Sequence, residues 1–378
     1  MDFSLSDDHR ILKDTIDRYL REHYTLEARH RRAAEEIGFS REGWKEMAEL
    51  GLIGALLPED VGGFGGRGVD LLVVMETLGR ALVVEPFLAS AVLGAGAIAA
   101  AGSEAQKATL EPVITGDLLL AFAHGEPDSR YSLTSVLTRA IASGDGWMLD
   151  GRKAVVINGD SADRLIVSAR VDGGPEDENG LALFLIDADA PGLMRRGTAT
   201  IDGGRAAEVT LDGVTVPADA ALGEPGKAYP IIESVLGRGA LALAAEALGA
   251  MEVAKDLTLD YLRTRKQFGR PIGQFQALQH RMVDLCLEIE QARSAVMLAA
   301  AKLEADRLTR EKAIAAAKHL AGRVGRLVAE ETIQMHGGIA MTWDYALPHV
   351  AKRLVMIDHQ LGDADHHLER FAALSAET

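Results

Sequence analysis

The sequence predicts an α+β protein, mainly helical, in three parts: an N-terminal helical domain over residues 1–117, a middle antiparallel β-barrel over 118–222 and a C-terminal four-helix bundle over 223–378. Three observations predict it. Apolar residues recur at helical spacing from Ser6 to about Pro112, short apolar runs split by Asp-Gly turns fill Leu118 to Val216, and long amphipathic segments return from Ile231.

In the first part, Ser6 is placed to cap a helix carrying Ile11, Leu12, Ile16 and Leu20, and Leu71 to Ala81 repeats the spacing. Between them Leu57 to Gly66 holds four glycines and a proline, which break periodicity and read as a loop. Ala89 to Ala101 is a run of small side chains, too short for a membrane span of roughly 20 residues, and reads as a closely packed buried helix. In the middle part the strands expected are Leu118 to Phe122, Trp147 to Leu149, Val155 to Ile157, Leu165 to Ser168, Leu181 to Ile186 and Glu208 to Leu211. Asp150-Gly151, Asp172-Gly173-Gly174 and Asp212-Gly213 are read as their turns, and Gly223 to Lys227 as a linker. The bundle helices run from Ile231 to Arg263, through Met282, Leu285, Cys286, Ile289 and Val296, from Glu311 to Met335, and from about Ala364.

Composition bounds the function. The 378 residues are 48% hydrophobic and 25% charged, enough for a full core. A formal charge of −16 argues against nucleic acid or an anionic membrane as the main partner. Cys286 is the single cysteine, which excludes a disulfide framework or a cysteine-based metal site within one chain. The segment Met1 to Asp8 is acidic and lacks the basic and apolar regions of a signal peptide, so a cytoplasmic setting is expected.

Two turns carry chemistry. Arg265-Lys266-Gln267-Phe268-Gly269-Arg270-Pro271-Ile272-Gly273-Gln274-Phe275-Gln276 falls between two helices and packs cations, amides, aromatics and two glycines into twelve residues. An arginine fork chelates a pyrophosphate, a phenylalanine stacks on a flat ring and glycines let a backbone approach closely, so a dinucleotide fits. Gln334-Met335-His336-Gly337-Gly338-Ile339-Ala340-Met341-Thr342 follows the third bundle helix with the same ingredients. Its paired glycines also have a plain reading as a helix C-cap.

With the helix, barrel, helix order, the Leu50-Gly51-Leu52-Ile53-Gly54 to Pro58-Glu59-Asp60-Val61-Gly62-Gly63 loop and the Gln267-Phe268-Gly269 turn, the whole chain resembles the acyl-CoA dehydrogenases. Within that family the segment Asp358 to Leu368 is most similar to the pimeloyl-CoA dehydrogenase small subunit and to subunits of steroid side-chain breakdown. The resemblance implies bound FAD and oxidation of an acyl-CoA substrate to a 2-enoyl-CoA. A carboxylate removes the α-proton, the β-hydride passes to flavin N5, and electrons leave to an electron-transferring flavoprotein. It further implies that Arg265, Phe268, Gln334, Gly337 and Gly338 serve the pyrophosphate and adenine end of a neighbour's FAD, with Gln276 at the same interface. The assembly implied is a tetramer, of this chain alone or with a homologous subunit.

The sequence departs from the family pattern at three places. The Tyr-Glu-Gly-Thr segment that carries the usual base reads Leu361-Gly362-Asp363-Ala364-Asp365, with no glutamate. Asp363 has two readings, as the catalytic base one methylene short, or as the cap of the last helix. The family's alternative base position falls near Gly239, and Glu246, two turns on, reads as a helix-face charge or as a pocket group. The Thr-Glu-Pro-Gly-Ala-Gly-Ser-Asp segment appears as Gly125-Glu126-Pro127-Asp128-Ser129-Arg130-Tyr131-Ser132, and Trp-Ile-Thr-Asn-Gly as Val155-Val156-Ile157-Asn158-Gly159, where Ile157 cannot donate a hydrogen bond.

These losses leave three readings: a dehydrogenase subunit acting with a homologous partner, a self-sufficient enzyme using Asp363, and a catalytically degenerate subunit that completes its partner's FAD site and scaffolds the oligomer. Asp363, Asp365, His366 and His367 contain metal-ligand types, but adjacent helical residues point about 100° apart, so no metal site is expected. Arg29 to Arg32 reads as a solvated helix face, with CoA phosphate as a second reading. No Gly-x-Gly-x-x-Gly lies between a strand and a helix, which disfavours a nicotinamide enzyme.

Overall fold

The computed structural model describes residues 5–377, so Met1 to Ser4 of the acidic N-terminal segment lie outside it. Its helices begin with α1 Asp7–His23, α2 Leu26–Ala33, α3 Arg41–Glu49, α4 Gly68–Ala81, α5 Ala95–Ala101, α6 Glu104–Lys107 and α7 Leu110–Ile114. Strands follow as β1 Leu120–Ala123, β2 Arg139–Ser143, β3 Gly146–Ile157, β4 Arg164–Arg170, β5 Leu181–Asp187, β6 Leu193–Ala199, β7 Arg205–Pro217 and β8 Ala221–Gly226. Then come α8 Tyr229–Thr264, the short β9 Lys266–Gln267 and β10 Arg270–Pro271, α9 Gln276–Ala301, α10 Arg307–His336, α11 Leu347–His359 and α12 Ala364–Ala376. None of the helices is long and apolar enough to cross a membrane among the described residues. The chain forms two compact units, one of residues 1–29, 67–83 and 240–378, the other of residues 30–66 and 84–239.

In the second unit the sheet corrects the barrel expectation. Its strands run β6-β7-β3-β2-β4-β5-β8 with β1 beside β4, and β6 and β8 each pair on one side only. A barrel needs its terminal strands hydrogen-bonded to each other, so this sheet is open. It is also mixed: β1 and β2 both lie parallel to β4, because β1 and β2 are joined by a long loop instead of a hairpin. Edge strand β6 is largely exposed and carries Arg195 and Arg196, charges that discourage further pairing. The core beneath is apolar, with Leu149, Val167, Phe184, Val209 and Val214 fully buried. Burying a side chain such as Phe184 stabilises by roughly 1.5–3 kcal/mol.

Two Asp-Gly dipeptides read as turns are inside strands. Asp150-Gly151 sits within β3 and Asp212-Gly213 within β7, where the pairing slips between Leu149 and Gly151. The two bulged sites face each other, and Gly213 N donates to Asp150 Oδ1 at 2.8 Å. The expected linker, Gly223 to Lys227, is largely β8, which pairs with β5. Ala89 to Ala101 is helical and mostly buried, as its small residues imply; its first part, from Phe87 to Gly94, is wound wider than an α-helix.

The first unit is all helix apart from the β9–β10 hairpin. Ser6 caps α1 by accepting from His9 N at 3.2 Å, and His9 Nε2 meets Asp70 of α4 at 2.8 Å. Gly79 of α4 and Gly249 of α8 mark a close crossing: a Cβ on Gly79 would stand 2.1 Å from Glu246 O, and one on Gly249 1.9 Å from Glu76 O. Arg293 of α9 bonds Glu76 at 2.7 Å and Glu252 at 2.9 Å, tying α9 to both helices. Helix α10 packs against α9, α11 and α12, and α11 is a helix beyond the four expected.

Candidate functional site

Arg265 begins a tight hairpin. Its N–H closes the last turn of α8 on Tyr261 O at 2.8 Å, and its carbonyl accepts from Ile272 N at 2.9 Å. Between these, β9 and β10 pair Gln267 with Arg270, so the loop is only Phe268-Gly269. Both loop residues have positive φ, 52° and 80°, the geometry that matches strand twist in two-residue hairpins and favours Asn or Gly. A phenylalanine is costly there, and it is 90% exposed. Its ring meets Phe275 edge-on at 6.1 Å, and the Arg270 guanidinium lies 4.1 Å over Phe275. Arg265 and Gln276 are exposed, and no acidic side chain pairs with Arg265 among the described residues. The hairpin therefore displays a strained aromatic and an unneutralised guanidinium outward.

The second turn follows α10. Gly337 has φ +69° and its N–H bonds Ile333 O, which agrees with the C-cap reading. Gly338 has neither a positive φ nor a neighbour: a Cβ there would meet nothing within 4 Å. Packing inside the chain gives no reason for glycine at 338, so the bare backbone fits close approach from outside. Gln334 beside it is exposed, as are Met341 and Trp343. These features suit the phosphate and adenine half of a dinucleotide: a cation, a flat apolar face and a bare backbone at Gly338.

The segment after α11 is strongly constrained. Leu361 and Gly362 have φ +56° and +103°, and Asp363 caps α12 by accepting from His366 N at 2.8 Å. Beneath them Lys318, fully buried, donates to Gly362 O at 2.6 Å and Asp358 O at 3.1 Å. Burial pulls its pKa down to about 8, against the pull of Asp358 and Asp363. His367 Nε2 donates to Leu361 O at 2.9 Å, and burial drops its pKa to about 3. One oxygen of Asp363 is thus committed to the cap. Glu246 is not the solvated helix-face charge it resembled: it is buried, with both oxygens bonded to Arg353.

In the other unit, the loop Gly125 to Leu137 is held by a buried ion pair that sequence reasoning missed. Glu126 accepts from Leu137 N at 2.7 Å, Thr138 N at 3.0 Å and Lys153 Nζ at 2.7 Å. Lys153 also donates to His124 O and to Ser168 Oγ, and Ser168 Oγ meets His124 Nδ1 at 2.9 Å. Burial pushes the Glu126 carboxyl up, but the Lys153 charge and the hydrogen bonds outweigh it and hold it below its usual value. The sequence reading left Lys153 between two short strands, Trp147 to Leu149 and Val155 to Ile157, whereas one strand, β3, runs through it and buries it. Beyond it Val155 has φ +53° and is 70% exposed, a left-handed state rare for a β-branched residue. Arg130, in the same loop as Glu126, is also left-handed at φ +47° and exposed.

Residues 6–117, 121–214 and 228–372 match the models for the acyl-CoA dehydrogenase N-terminal, middle and C-terminal domains. The chain is 30% identical over 380 residues to the probable acyl-CoA dehydrogenase YngJ of Bacillus subtilis, covering 98% of each. It is also similar to a chain of the ChsE4-ChsE5 complex from Mycobacterium tuberculosis, with TM-score 0.90 and 29% identity over 100% of both chains. A chain of a variant of the Tcur3481-Tcur3483 steroid ACAD matches with TM-score 0.88 and 34% identity over 99% of both.

Proposed function

Because this chain belongs to the acyl-CoA dehydrogenase family, whose FAD-dependent members oxidise CH–CH bonds, we propose that it acts as one subunit of a two-component acyl-CoA dehydrogenase. In this reading Arg265, Phe268, Gln276, Gln334, Gly337 and Gly338 hold the pyrophosphate and adenine end of an FAD whose ring lies in a homologous subunit. The observation that carries it is the outward display of Phe268, left-handed and exposed, together with the bare backbone at Gly338. Strain of that kind persists where function needs it. Similarity to chains of the ChsE4-ChsE5 complex and of the Tcur3481-Tcur3483 steroid ACAD supports the two-component assembly.

FAD, when bound, supplies the hydride acceptor for the substrate β-carbon. The chain's own groups do the rest: Arg265 offers a bidentate cation to phosphate oxygens, Phe268 a flat face, and Gly338 a bare backbone that lets the cofactor approach closely. The α-proton goes to a carboxylate of the homologous partner, and Asp363 keeps its capping role. Ile157 lacks a donor where the family pattern has threonine, which supports a weakened ring pocket in this chain. Electrons then pass to an electron-transferring flavoprotein, and a fatty acyl-CoA or one bearing a steroid side chain is the substrate class.

A second reading keeps catalysis here, with Asp363 as the base; its support is that this half-buried carboxylate at the head of α12 uses Oδ1 alone for the cap. Purification with the homologue encoded beside it, flavin quantitation and an acyl-CoA panel with an artificial electron acceptor test both. The two-component reading expects FAD at fewer than one per chain and turnover only in the complex. One FAD per chain in an active homo-oligomer overturns it, and an FAD-loaded complex that reduces dye with no thioester overturns the dehydrogenase assignment.

A further inference from the structure

The two glycine turns share a root of stacked rings. His336 closes α10 one residue before Gly337, and Tyr261, in the last turn of α8, accepts the Arg265 N–H on its carbonyl. Their rings stack with centroids 4.5 Å apart and planes 22° apart, and Tyr345 leans on the same imidazole at 5.4 Å and 56°. Thr332 O can only accept, so at 2.8 Å His336 Nδ1 carries the proton. That leaves Nε2 to accept from the Tyr345 hydroxyl at 3.1 Å. The imidazole is thereby fixed in rotation as well as in position, and it is buried. Among the described residues no hydrogen bond runs between 265–276 and 334–342. A ring stack joins the helix ends from which both turns leave.

We propose that His336 is a positioning residue for the cofactor turns: by stacking on Tyr261 with its tautomer fixed, it sets the spacing between the Arg265 to Phe268 hairpin and the Gly337-Gly338 backbone. This rests on the reading of those turns as an FAD clamp. The physical reason is preorganisation. A pyrophosphate lying between a guanidinium and the bare Gly338 backbone binds tightly only when both are already at the right separation, since any movement needed on binding is subtracted from affinity. His336→Phe would keep the stack and lose the two hydrogen bonds; His336→Leu would lose both.

The test uses the full-length protein purified with its homologous partner. FAD release is followed by the rise in flavin fluorescence on dilution, and thermal unfolding of the FAD-stripped protein is measured alongside. His336→Leu is expected to speed FAD release about tenfold, equivalent to 1.4 kcal/mol, while His336→Phe stays within about threefold of the parent. Arg265→Ala is the reference for the clamp itself. If Arg265→Ala speeds release and His336→Leu does not, the positioning role is overturned and the clamp stands. If neither changes release, the clamp reading falls and the positioning role with it. Should His336→Leu fail to fold, Tyr261→Leu carries the test by removing the stack from its other side: faster release at an unchanged melting temperature supports the proposal, and unchanged release overturns it.

Discussion

Arg353 of α11 holds both carboxylate oxygens of Glu246 on α8, Nε to Oε1 at 2.5 Å and Nη2 to Oε2 at 2.7 Å. A third bond runs from Arg353 Nη1 to Gln360 Oε1 at 3.0 Å, so the pair also fixes the chain just before Leu361. Two parallel charge-assisted bonds give a defined geometry that a lysine could not. Glu246→Gln replaces a buried carboxylate that Arg353 grips twice with a neutral amide and is expected to cost about 1.5–3 kcal/mol. Denaturant unfolding of the single variant and of the Glu246→Gln, Arg353→Met double variant checks this, the double being less destabilised than the sum of the singles.

Asp363 separates capping from catalysis. Alanine removes the acceptor for His366 N and is expected to cost about 1 kcal/mol, whereas asparagine keeps the cap and is expected to be nearly neutral. On the two-component reading Asp363→Asn also leaves turnover of the complex essentially unchanged. Steady-state kinetics beside thermal unfolding decides it: a folded, stable Asp363→Asn protein without turnover would assign the base to this chain.

Phe268 trades stability for exposure. An L-residue in the left-handed region costs roughly 1–2 kcal/mol, and glycine there gives back about 0.4–1 kcal/mol through the freer unfolded chain. Phe268→Gly is therefore expected to match or slightly exceed the parent in thermal stability while losing FAD on gel filtration. Flavin absorbance per chain reads the loss directly.

Two buried histidines set an acid limit. His367 and His124 are both pulled by burial from 6.5 to about 3, so the folded chain keeps them neutral while the unfolded chain protonates them. Below 6.5 the unfolded state binds more protons, and stability falls as pH drops from about 6.5 toward 3. Each group contributes a slope of about 1.4 kcal/mol per pH unit within that window. Unfolding free energies at pH 6 and pH 5 measure the slope, and His367→Gln is expected to reduce it by about one such increment.

Much of the architecture follows from local chemistry. Ser6 caps α1, and the apolar spacing around Ile16 and Leu20 places both inside. The strands around Leu165, Leu181 and Val209 are β-rich runs that any pairing would bury. The Arg265 and Gln334 turns stood out because their residue types serve no core. The Asp-Gly pairs at 150 and 212 misled for a physical reason: a hairpin turn and a bulge ask the same backbone freedom of glycine, and only the opposite strand decides between them.

By itself, then, the sequence determined helix, strand and the outward-facing turns, because those depend on neighbours within a few residues. Tertiary structure alone decided the fate of the charges. Glu126 and Lys153 are 27 residues apart, Lys318 and Gly362 44, Glu246 and Arg353 107. Read singly, each of these charged residues looks solvated. Burial without a partner would cost several kcal/mol, so whether each lies in water or in the core depends on a counter-group that only the folded chain brings to it. The same holds for His336, an ordinary residue before two glycines until Tyr261 and Tyr345 close on it.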